Sequence, residues 1–215
     1  MTFPKTDLNK VNRIPDRARY DKETIYPIID EALICHVGFT ENDQPIVIPT
    51  LHARDGDTLI LHGAKASRML KHLSGGNPVC ITITHIDGIV FARSVFEHSI
   101  NYRSVVLFGR GKLIEENDEK MRAMEVLTEH IAKGRWGDAR VPNQKELEAT
   151  SVVRVEIESA TAKIRSGNPK DKEEDLNLPV WSGVLPIAPQ YLTPLNDPTL
   201  APSITVPEYI VKYAR

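Results

Sequence analysis

The sequence has little of several features that mark particular classes of protein. Among 215 residues there are only two cysteines, aromatic residues make up 6%, and 27 Lys and Arg nearly balance 29 Asp and Glu. No apolar run approaches the ~20 residues that span a bilayer, and the first residues (MTFPKTDLNKVNR) lack the hydrophobic stretch of a signal peptide. No block of Lys or Arg offers the basic surface that nucleic acids need. These absences predict a cytoplasmic protein without a membrane or nucleic-acid partner.

Metal and nucleotide motifs are missing as well. The chain has no GxGxxG, Walker, HExxH or GxSxG pattern, and its seven histidines do not fall at metal-ligand spacings. Cys35 and Cys80 lie in apolar runs, where cysteine usually acts as a small buried hydrophobe. We therefore expect no metal site and no disulfide.

What is present indicates one domain with two appendages. Apolar residues make up 41% of the chain, enough for one sizeable core. Residues 1–20 show no sustained periodicity and are predicted to form an arm. Residues 21–187 form the predicted domain, and residues 188–215 the predicted tail. Of the 37 residues from Pro179 to the end, 7 are proline, which favours an extended segment without regular structure.

The domain has the pattern of a small antiparallel barrel with a few helices. Helices are predicted over DKETIYPIIDEA from Asp21, AKASRMLKHLSGG around Ser67, and NDEKMRAMEVLTEHIAKG, where Asn117 or Asp118 is the expected cap. A type I′ turn at Asp55-Gly56 would pair Arg54 with Asp57 and place Pro49 opposite His62. The last strand alternates strictly and is predicted to be an outer strand. The six predicted strands are Leu33–Phe39, Pro45–Arg54, Thr58–Gly63, Pro78–Arg93, 103–116 and Val153–Glu158.

Three segments carry residue types suited to ligand binding. In LHGAKASRMLK a strand ends at His62, and Ser67, Arg68 and Lys71 follow in the first turn of a helix, which suits a phosphate. A surface helix with solvated cations is the alternative. In HSINYRSVVLFG a polar cluster runs into an apolar strand, as at the rim of a cavity or in an ordinary hydrogen-bonded loop. In VWSGVLP, Trp181 stands in an otherwise coil-like tail, where packing is the simpler role.

In this order the three segments resemble the pyridoxamine 5′-phosphate oxidase-like flavoproteins, the FMN-binding split-barrel family. The resemblance runs from about Asp21 to Ile187 and is greatest to flavin-nucleotide-binding proteins and nitroimidazole-resistance-type reductases. It implies an α+β fold, a mostly antiparallel six-stranded split β-barrel with peripheral helices. It also implies a homodimer with FMN at the interface, and a tryptophan, here Trp181, brought to the cofactor from the second subunit. The implied cofactor-binding residues are Ile48, Pro49, Thr50, His62, Gly63, Ser67, Arg68, Lys71, Asn101, Tyr102, Arg103, Ser104 and Trp181.

Two departures from the family pattern narrow the expected activity. WSGVLPIAPQ lacks the Arg-x-His element that follows the tryptophan in true pyridoxamine phosphate oxidases, so oxidation of vitamin B6 is not expected. Met69 stands where a second basic residue usually follows Ser-Arg, and Lys71 or Lys65 would have to compensate. His62 is the one candidate catalytic residue, as a proton or hydrogen-bond donor to a substrate.

The leading hypothesis is thus a dimeric FMN-dependent oxidoreductase acting on a small planar or nitroaromatic molecule. An alternative is a non-catalytic protein that binds or senses flavin, or binds haem on the same barrel, since no substrate-anchoring motif is present. A third is a structural dimer in which Arg68 and Arg103 only form salt bridges.

Overall fold

The computed structural model describes residues 1–214. Its helices are α1 (Lys22–Glu31), α2 (Arg68–Ser74), α3 (Asn117–Ile131), α4 (Arg135–Asp138), α5 (Gln144–Ala149) and α6 (Glu208–Val211). Its strands are β1 (Ala18–Arg19), β2 (Ile34–Glu41), β3 (Gln44–Leu51), β4 (Ala53–Asp55), β5 (Thr58–Ala64), β6 (Pro78–Phe91), β7 (Ser99–Leu113), β8 (Thr150–Arg165) and β9 (Gly183–Pro186). None of the helices within these residues has the length and apolar character needed to cross a bilayer.

All strand pairs are antiparallel, in the order β3-β2-β6-β7-β8-β5-β4, with β1 added beside β8 and β9 beside β6. The two ends of this path, β3 and β4, are consecutive in the chain and are separated by the fully buried His52. The sheet therefore curls until its two end strands are linked by one residue, but β3 and β4 do not pair with each other, so the barrel stays open there. The predicted split barrel is confirmed, and its six strands are β2, β3 with β4, β5, β6, β7 and β8.

The barrel interior holds the main core, and two helices contribute to it. Ile25, Ile28 and Ile29 of α1 and Met69, Leu70 and Leu73 of α2 are buried among the inward residues of the strands. Helices α1 and α2 begin where predicted, beside Asp21 and Ser67. Each of these residues caps its helix, because its side chain accepts a hydrogen bond from a backbone N–H of the first turn. Helix α3 covers a second cluster outside the barrel, which includes Ile60, Leu127 and Val152.

The N-terminal arm lies against β8. Phe3 is buried in the main core, and the buried amide of Asn9 donates to the carbonyl of Ala160 at 3.3 Å. The proline-rich segment from Pro179 onward differs from the prediction, because it contains regular structure both before and within the tail. Strand β9 pairs with β6, and α6 returns to α3, where the Tyr213 hydroxyl donates to the carbonyl of Ile131.

Two predictions about turns and helix ends are wrong. Asp55 pairs with Thr58, so the tight turn is Gly56-Asp57 with positive φ only at Gly56, as a type II′ turn requires. The turn with two positive φ values is instead Asn42-Asp43, between β2 and β3. Pro49 consequently lies opposite His36, not His62. Helix α3 is capped by Glu116 without a side-chain hydrogen bond, not by Asn117 or Asp118.

Two predictions about position in the sheet are also wrong. Strand β8 lies between β7 and β5 and is central, because in an antiparallel sheet with one solvated face a central strand alternates as clearly as an edge strand. Cys35 is buried in the core as expected, but Cys80 is only half-buried, since it faces outward from β6.

Candidate functional site

The turn between β5 and α2, which we call the α2 turn (Gly63–Lys71), brings together most of the predicted phosphate-binding residues. Ser67 accepts a hydrogen bond from the N–H of Leu70 at 3.4 Å and thereby fixes the start of α2. Gly63 packs so closely on Leu70 that an added Cβ would lie 3.1 Å from its Cδ1. Arg68 has a side chain that is 57% exposed, and its only charged partner among residues 1–214 is Glu41, at 4.0 Å. Its guanidinium is thus available to an anion.

His62 lies at the edge of this turn, on the outer side of β5. Its Nδ1 is buried and has no hydrogen-bond partner among the described residues. Burial lowers the pKa of His62 below its ordinary value of 6.5, so the ring is neutral at pH 7. A buried ring nitrogen without a hydrogen-bond partner destabilises the fold unless a ligand or a water molecule forms that hydrogen bond.

The predicted residues of β3 divide between two faces because successive strand side chains alternate. Ile48 packs against the main core, whereas Pro49 is exposed on the outside of the barrel. Outward residues of β2, β3, β6 and β7 form a broad exposed surface, which we call the open sheet face. Its adjacent rows, read across the strands, are Val47-Gly38-Cys80-Phe108 and Pro49-His36-Thr82-Val106.

The open sheet face continues beyond the barrel as an apolar row. Ile100, Ile89 and Leu185 are neighbours across β7, β6 and β9, and they are 44%, 36% and 53% exposed. Large apolar side chains side by side on a solvent-exposed sheet are typical of an interaction surface.

The polar cluster of β7 is also divided by strand alternation. Tyr102 and Ser104 share a side of β7 with Val106, on the open sheet face, and the Ser104 hydroxyl donates to the carbonyl of Lys163 at 3.2 Å. Asn101 and Arg103 point to the other side. Asn101 is buried, and its amide accepts from Arg165 and donates to the carbonyl of Gly167 at 3.2 Å.

Arg103 is bound by two carboxylates. It donates to Glu31 of α1 at 2.9 Å through Nη2 and also through Nη1, and to Asp87 of β6 at 2.9 Å. These hydrogen bonds raise the pKa of Arg103 and lower that of Glu31. In one copy of the chain, the Arg103 guanidinium is therefore occupied by protein partners.

Trp181 precedes β9 and is 67% exposed. Its ring lies 5.8 Å from that of Phe91, at the far end of β6. Cys80 of β6 lies beside Gly38 of β2, and Phe91 is 11 residues further along β6. At ~3.3 Å per residue, these two positions are about 36 Å apart along the strand.

The predicted site residues thus form two groups in one chain. The first is the α2 turn, where Arg68 meets Glu41 at the end of β2 and so lies at the border of the open sheet face. The second comprises Trp181, at the opposite end of the same face, with Tyr102 and Ser104 between the two, beside Ile86 and Thr84 of β6. Sequence reasoning missed the residues that join them, among them Gly38, Thr82 and Val106, and it missed the carboxylates of Glu31 and Asp87. Strand alternation would have found the first set, but the partners of Arg103 depend on how α1 packs.

Comparison with known proteins identifies the family. The sequence pattern described as pyridoxamine 5′-phosphate oxidase matches residues 21–164. The chain therefore belongs to the pyridoxamine 5′-phosphate oxidase-like family. A search of curated proteins finds no match.

Solved structures resemble the chain over most of its length. The flavocytochrome Anf3 of Azotobacter vinelandii is 39% identical, with a TM-score of 0.92 and 97% of each chain covered. A FAD- and haem-binding protein of Mycobacterium smegmatis is 32% identical, with a TM-score of 0.87, over 91% of this chain and 96% of that one. A candidate 5-nitroimidazole antibiotic resistance protein of Bacteroides thetaiotaomicron is 26% identical, with a TM-score of 0.57, over 68% of this chain and 86% of that one.

Proposed function

We propose that this chain is a flavin-dependent oxidoreductase whose flavin lies between two copies of the chain. The observation that carries the proposal is the α2 turn: the hydroxyl of Ser67, the guanidinium of Arg68 and the ammonium of Lys71 follow one another around a close-packed glycine, at the border of the open sheet face. Hydroxyl and cationic donors of this kind suit a phosphate ester.

The residues present fit a flavin phosphate and ring. Arg68 is exposed and has one carboxylate at 4.0 Å, and the buried Nδ1 of His62 lacks a partner within residues 1–214. The open sheet face beside Arg68 carries small side chains, including Gly38 and Thr82, over which a planar ring can lie. FMN is the flavin that the sequence resemblance implies, and FAD is named for the M. smegmatis relative. Both contain the same ring and first phosphate.

A dimer explains why the predicted residues form two groups. Trp181 lies about 36 Å along β6 from the row that borders the α2 turn, so one chain cannot bring both to the same flavin. In a twofold dimer that buries the open sheet face, Trp181 and Tyr102 of one protomer would approach the α2 turn of its partner. The apolar row of Ile100, Ile89 and Leu185 supports burial of this face.

The chain's own residues then bind and orient the reactants. When bound, a flavin supplies two-electron redox chemistry between a donor, such as a reduced nicotinamide, and an acceptor. Ser67, Arg68 and Lys71 hold the phosphate. His62, whose ring is neutral at pH 7, donates a hydrogen bond to the acceptor. For this acceptor we propose a small planar or nitroaromatic molecule. Oxidation of vitamin B6 is not proposed, because no Arg-x-His element follows Trp181.

The alternative is a protein that binds or senses flavin or haem without turnover. The observation that favours haem is the names of two relatives above 30% identity, of which one is a flavocytochrome and the other a FAD- and haem-binding protein. A visible absorption spectrum distinguishes flavin from haem.

The first experiment is the visible absorption spectrum of the purified protein, followed by chromatography of the cofactor released by heat. We expect the paired near-ultraviolet and blue bands of oxidised flavin. An added intense Soret band would identify haem as a second cofactor. Bleaching by a donor and recovery with an acceptor, over many cycles, would establish an oxidoreductase. A colourless protein that takes up neither FMN nor FAD would refute the proposal.

A further inference from the structure

Trp181 is an exposed aromatic residue whose ring has a defined position. The ring is 67% exposed and lies 5.8 Å from that of Phe91 at the end of β6. It also packs on the backbone of Gly183, because a Cβ added there would lie 2.8 Å from Cζ2 of the indole. Exposed side chains otherwise change rotamer within nanoseconds. A large ring that is both exposed and fixed by such packing is preorganised to contact a ligand or a partner.

The carboxylate of Asp171 joins the segment of Trp181 to the end of β6. Asp171 lies in the loop after β8, and its side chain is only 3% exposed. It accepts hydrogen bonds from the backbone N–H of Arg93 at 2.6 Å, from Nη1 of the same arginine at 2.7 Å, and from the hydroxyl of Ser182 at 2.9 Å. Arg93 follows Phe91 closely in the chain, and Ser182 is the residue after Trp181. One buried carboxylate therefore holds together the two segments whose rings are in contact.

The loop that carries Asp171 is itself anchored on buried side chains of the barrel. Arg165, at the end of β8, is 6% exposed, and it donates to the carbonyls of Gly167 and Asn168 at 3.2 Å and 3.3 Å. The amide of the buried Asn101 donates to the same Gly167 carbonyl at 3.2 Å. These hydrogen bonds fix the loop just before Asp171, so the carboxylate has a firm support.

We propose that Asp171 is a positioning residue for the flavin site: through Ser182 it fixes the indole of Trp181 so that this ring can contact the flavin bound by the partner protomer. The inference rests on the proposed function, which brings Trp181 of one protomer to the α2 turn of the other. An aromatic ring that is fixed beforehand loses little rotamer freedom when a ligand binds, so more of the contact free energy contributes to affinity.

The first test uses cofactor-free protein and the indole itself as the probe. The chain has two tryptophans, so Trp136→Phe leaves Trp181 as the only one. We expect a high fluorescence anisotropy of Trp181 in this protein and a lower one after Asp171→Ala or Ser182→Ala. Ser182→Ala removes a single hydrogen bond and keeps the test valid if Asp171→Ala folds poorly. Ser182→Thr retains the hydroxyl and should retain the anisotropy.

The second test compares flavin affinities, measured by fluorescence titration, in single and double variants. Trp181→Ala should weaken flavin binding by about 2- to 10-fold, which corresponds to the loss of one aromatic contact. Ser182→Ala should weaken binding within the same range. It should cause no further loss in Trp181→Ala protein, because its effect is transmitted only through the indole.

Glu129→Ala is the matched control, because Glu129 is also a carboxylate that holds a segment containing a tryptophan. It accepts from the N–H of Gly134 at 2.7 Å and from that of Trp136 at 2.9 Å, and it lies on α3, outside the open sheet face. Glu129→Ala should leave both the anisotropy of Trp181 and the flavin affinity unchanged.

Three results would overturn the inference and leave the α2 turn as the flavin site. They are an unchanged anisotropy in the Asp171 and Ser182 variants, additive losses of affinity in the double variant, and wild-type affinity in Trp181→Ala. Additive losses would mean that Asp171 supports the fold and does not act through the indole. A wild-type protein that binds neither FMN nor FAD would instead refute the proposed function, and the inference with it.

Discussion

Arg103 of β7 and Glu31 of α1 form a two-point ion pair, in which Nη2 donates to Oε1 at 2.9 Å and Nη1 to Oε2. The side chains are 30% and 34% exposed, so the pair is partly screened by solvent. Asp87 binds the other side of the same guanidinium. The pair ties the first helix to the barrel at the end opposite α2.

Removing Arg103 should therefore cost more stability than removing Glu31. Arg103→Met removes the cation that Glu31 and Asp87 share, and we expect the free energy of unfolding to fall by about 1–2 kcal/mol. Glu31→Gln leaves Arg103 with Asp87 and should cost about half as much. Urea denaturation measures the free energy of unfolding of both variants. If Arg103→Met left stability unchanged and weakened flavin binding instead, Arg103 would contact the cofactor as the family resemblance implies.

Arg68 should matter for the cofactor and not for the fold. We expect Arg68→Ala to weaken flavin binding by about 10- to 100-fold, because it removes one charge-assisted contact worth ~1.5–3 kcal/mol. Arg110→Ala is a close control, since both side chains are 57% exposed with a carboxylate at 4.0 Å or 3.8 Å. Fluorescence titration gives the affinities. Equal affinities for the two variants would contradict the assignment of the α2 turn.

His62 should make stability depend on pH. Its folded-state pKa lies below 6.5 because of burial, so protonation is more favourable in the unfolded chain. The stabilising effect of keeping the ring neutral is present above pH 6.5 and is lost as the pH falls through the folded pKa. The unfolding free energy of cofactor-free wild type should fall more steeply below pH 6.5 than that of His62→Gln.

The control for that experiment is a substitution of His98, which is exposed. His98→Gln should retain the steep wild-type pH dependence. Direct titration of the His62 ring protons by NMR would show whether its pKa is depressed. A value at or above 6.5 would mean that the ring is solvated and that its Nδ1 needs no ligand.

The open sheet face should hold two copies together. Ile100→Lys places a charge in the apolar row, next to its central residue Ile89, and should convert a dimer into a monomer with loss of flavin. Leu195→Lys, at a 94% exposed position in the tail, should leave the dimer intact. Sedimentation equilibrium distinguishes the mass of a dimer from that of a monomer. A wild-type monomer that retains flavin would refute the shared site.

The sequence was most informative where the structural signal is local. Asp21 and Ser67 cap their helices through bonds three residues away, so both helix starts could be predicted. Strand β8 extends to Arg165, well past the predicted end at Glu158, because Ser159, Ala160, Thr161 and Ala162 are all buried and show no alternation. The pairing of β9 with β6 joins Leu185 to Ile89, and no local pattern specifies such a distant partner.

In the candidate site, too, local features could be predicted from the sequence, but contacts between distant segments could not. The residue types of the α2 turn indicate phosphate chemistry by themselves, since Ser67, Arg68 and Lys71 are close in sequence. Tyr102 and Arg103 are just as close, yet they lie on opposite sides of β7, and only the packing of α1 shows that Arg103 has carboxylate partners.

The last helix has a consequence for how the end of the chain behaves. Helix α6 has four residues, too few to be stable alone. It is held by Tyr209, whose hydroxyl accepts a hydrogen bond from Arg135 of α4 at 3.4 Å, and by Tyr213 just after it, whose hydroxyl donates to the carbonyl of Ile131 of α3. Strand β9 fixes the near end of the extended tail that leads to it. Tethering gives such a segment an effective concentration of about millimolar, so weak contacts suffice to keep it bound. The chain end is therefore an intramolecular ligand of α3, and a competitor for that surface would release it without unfolding the barrel.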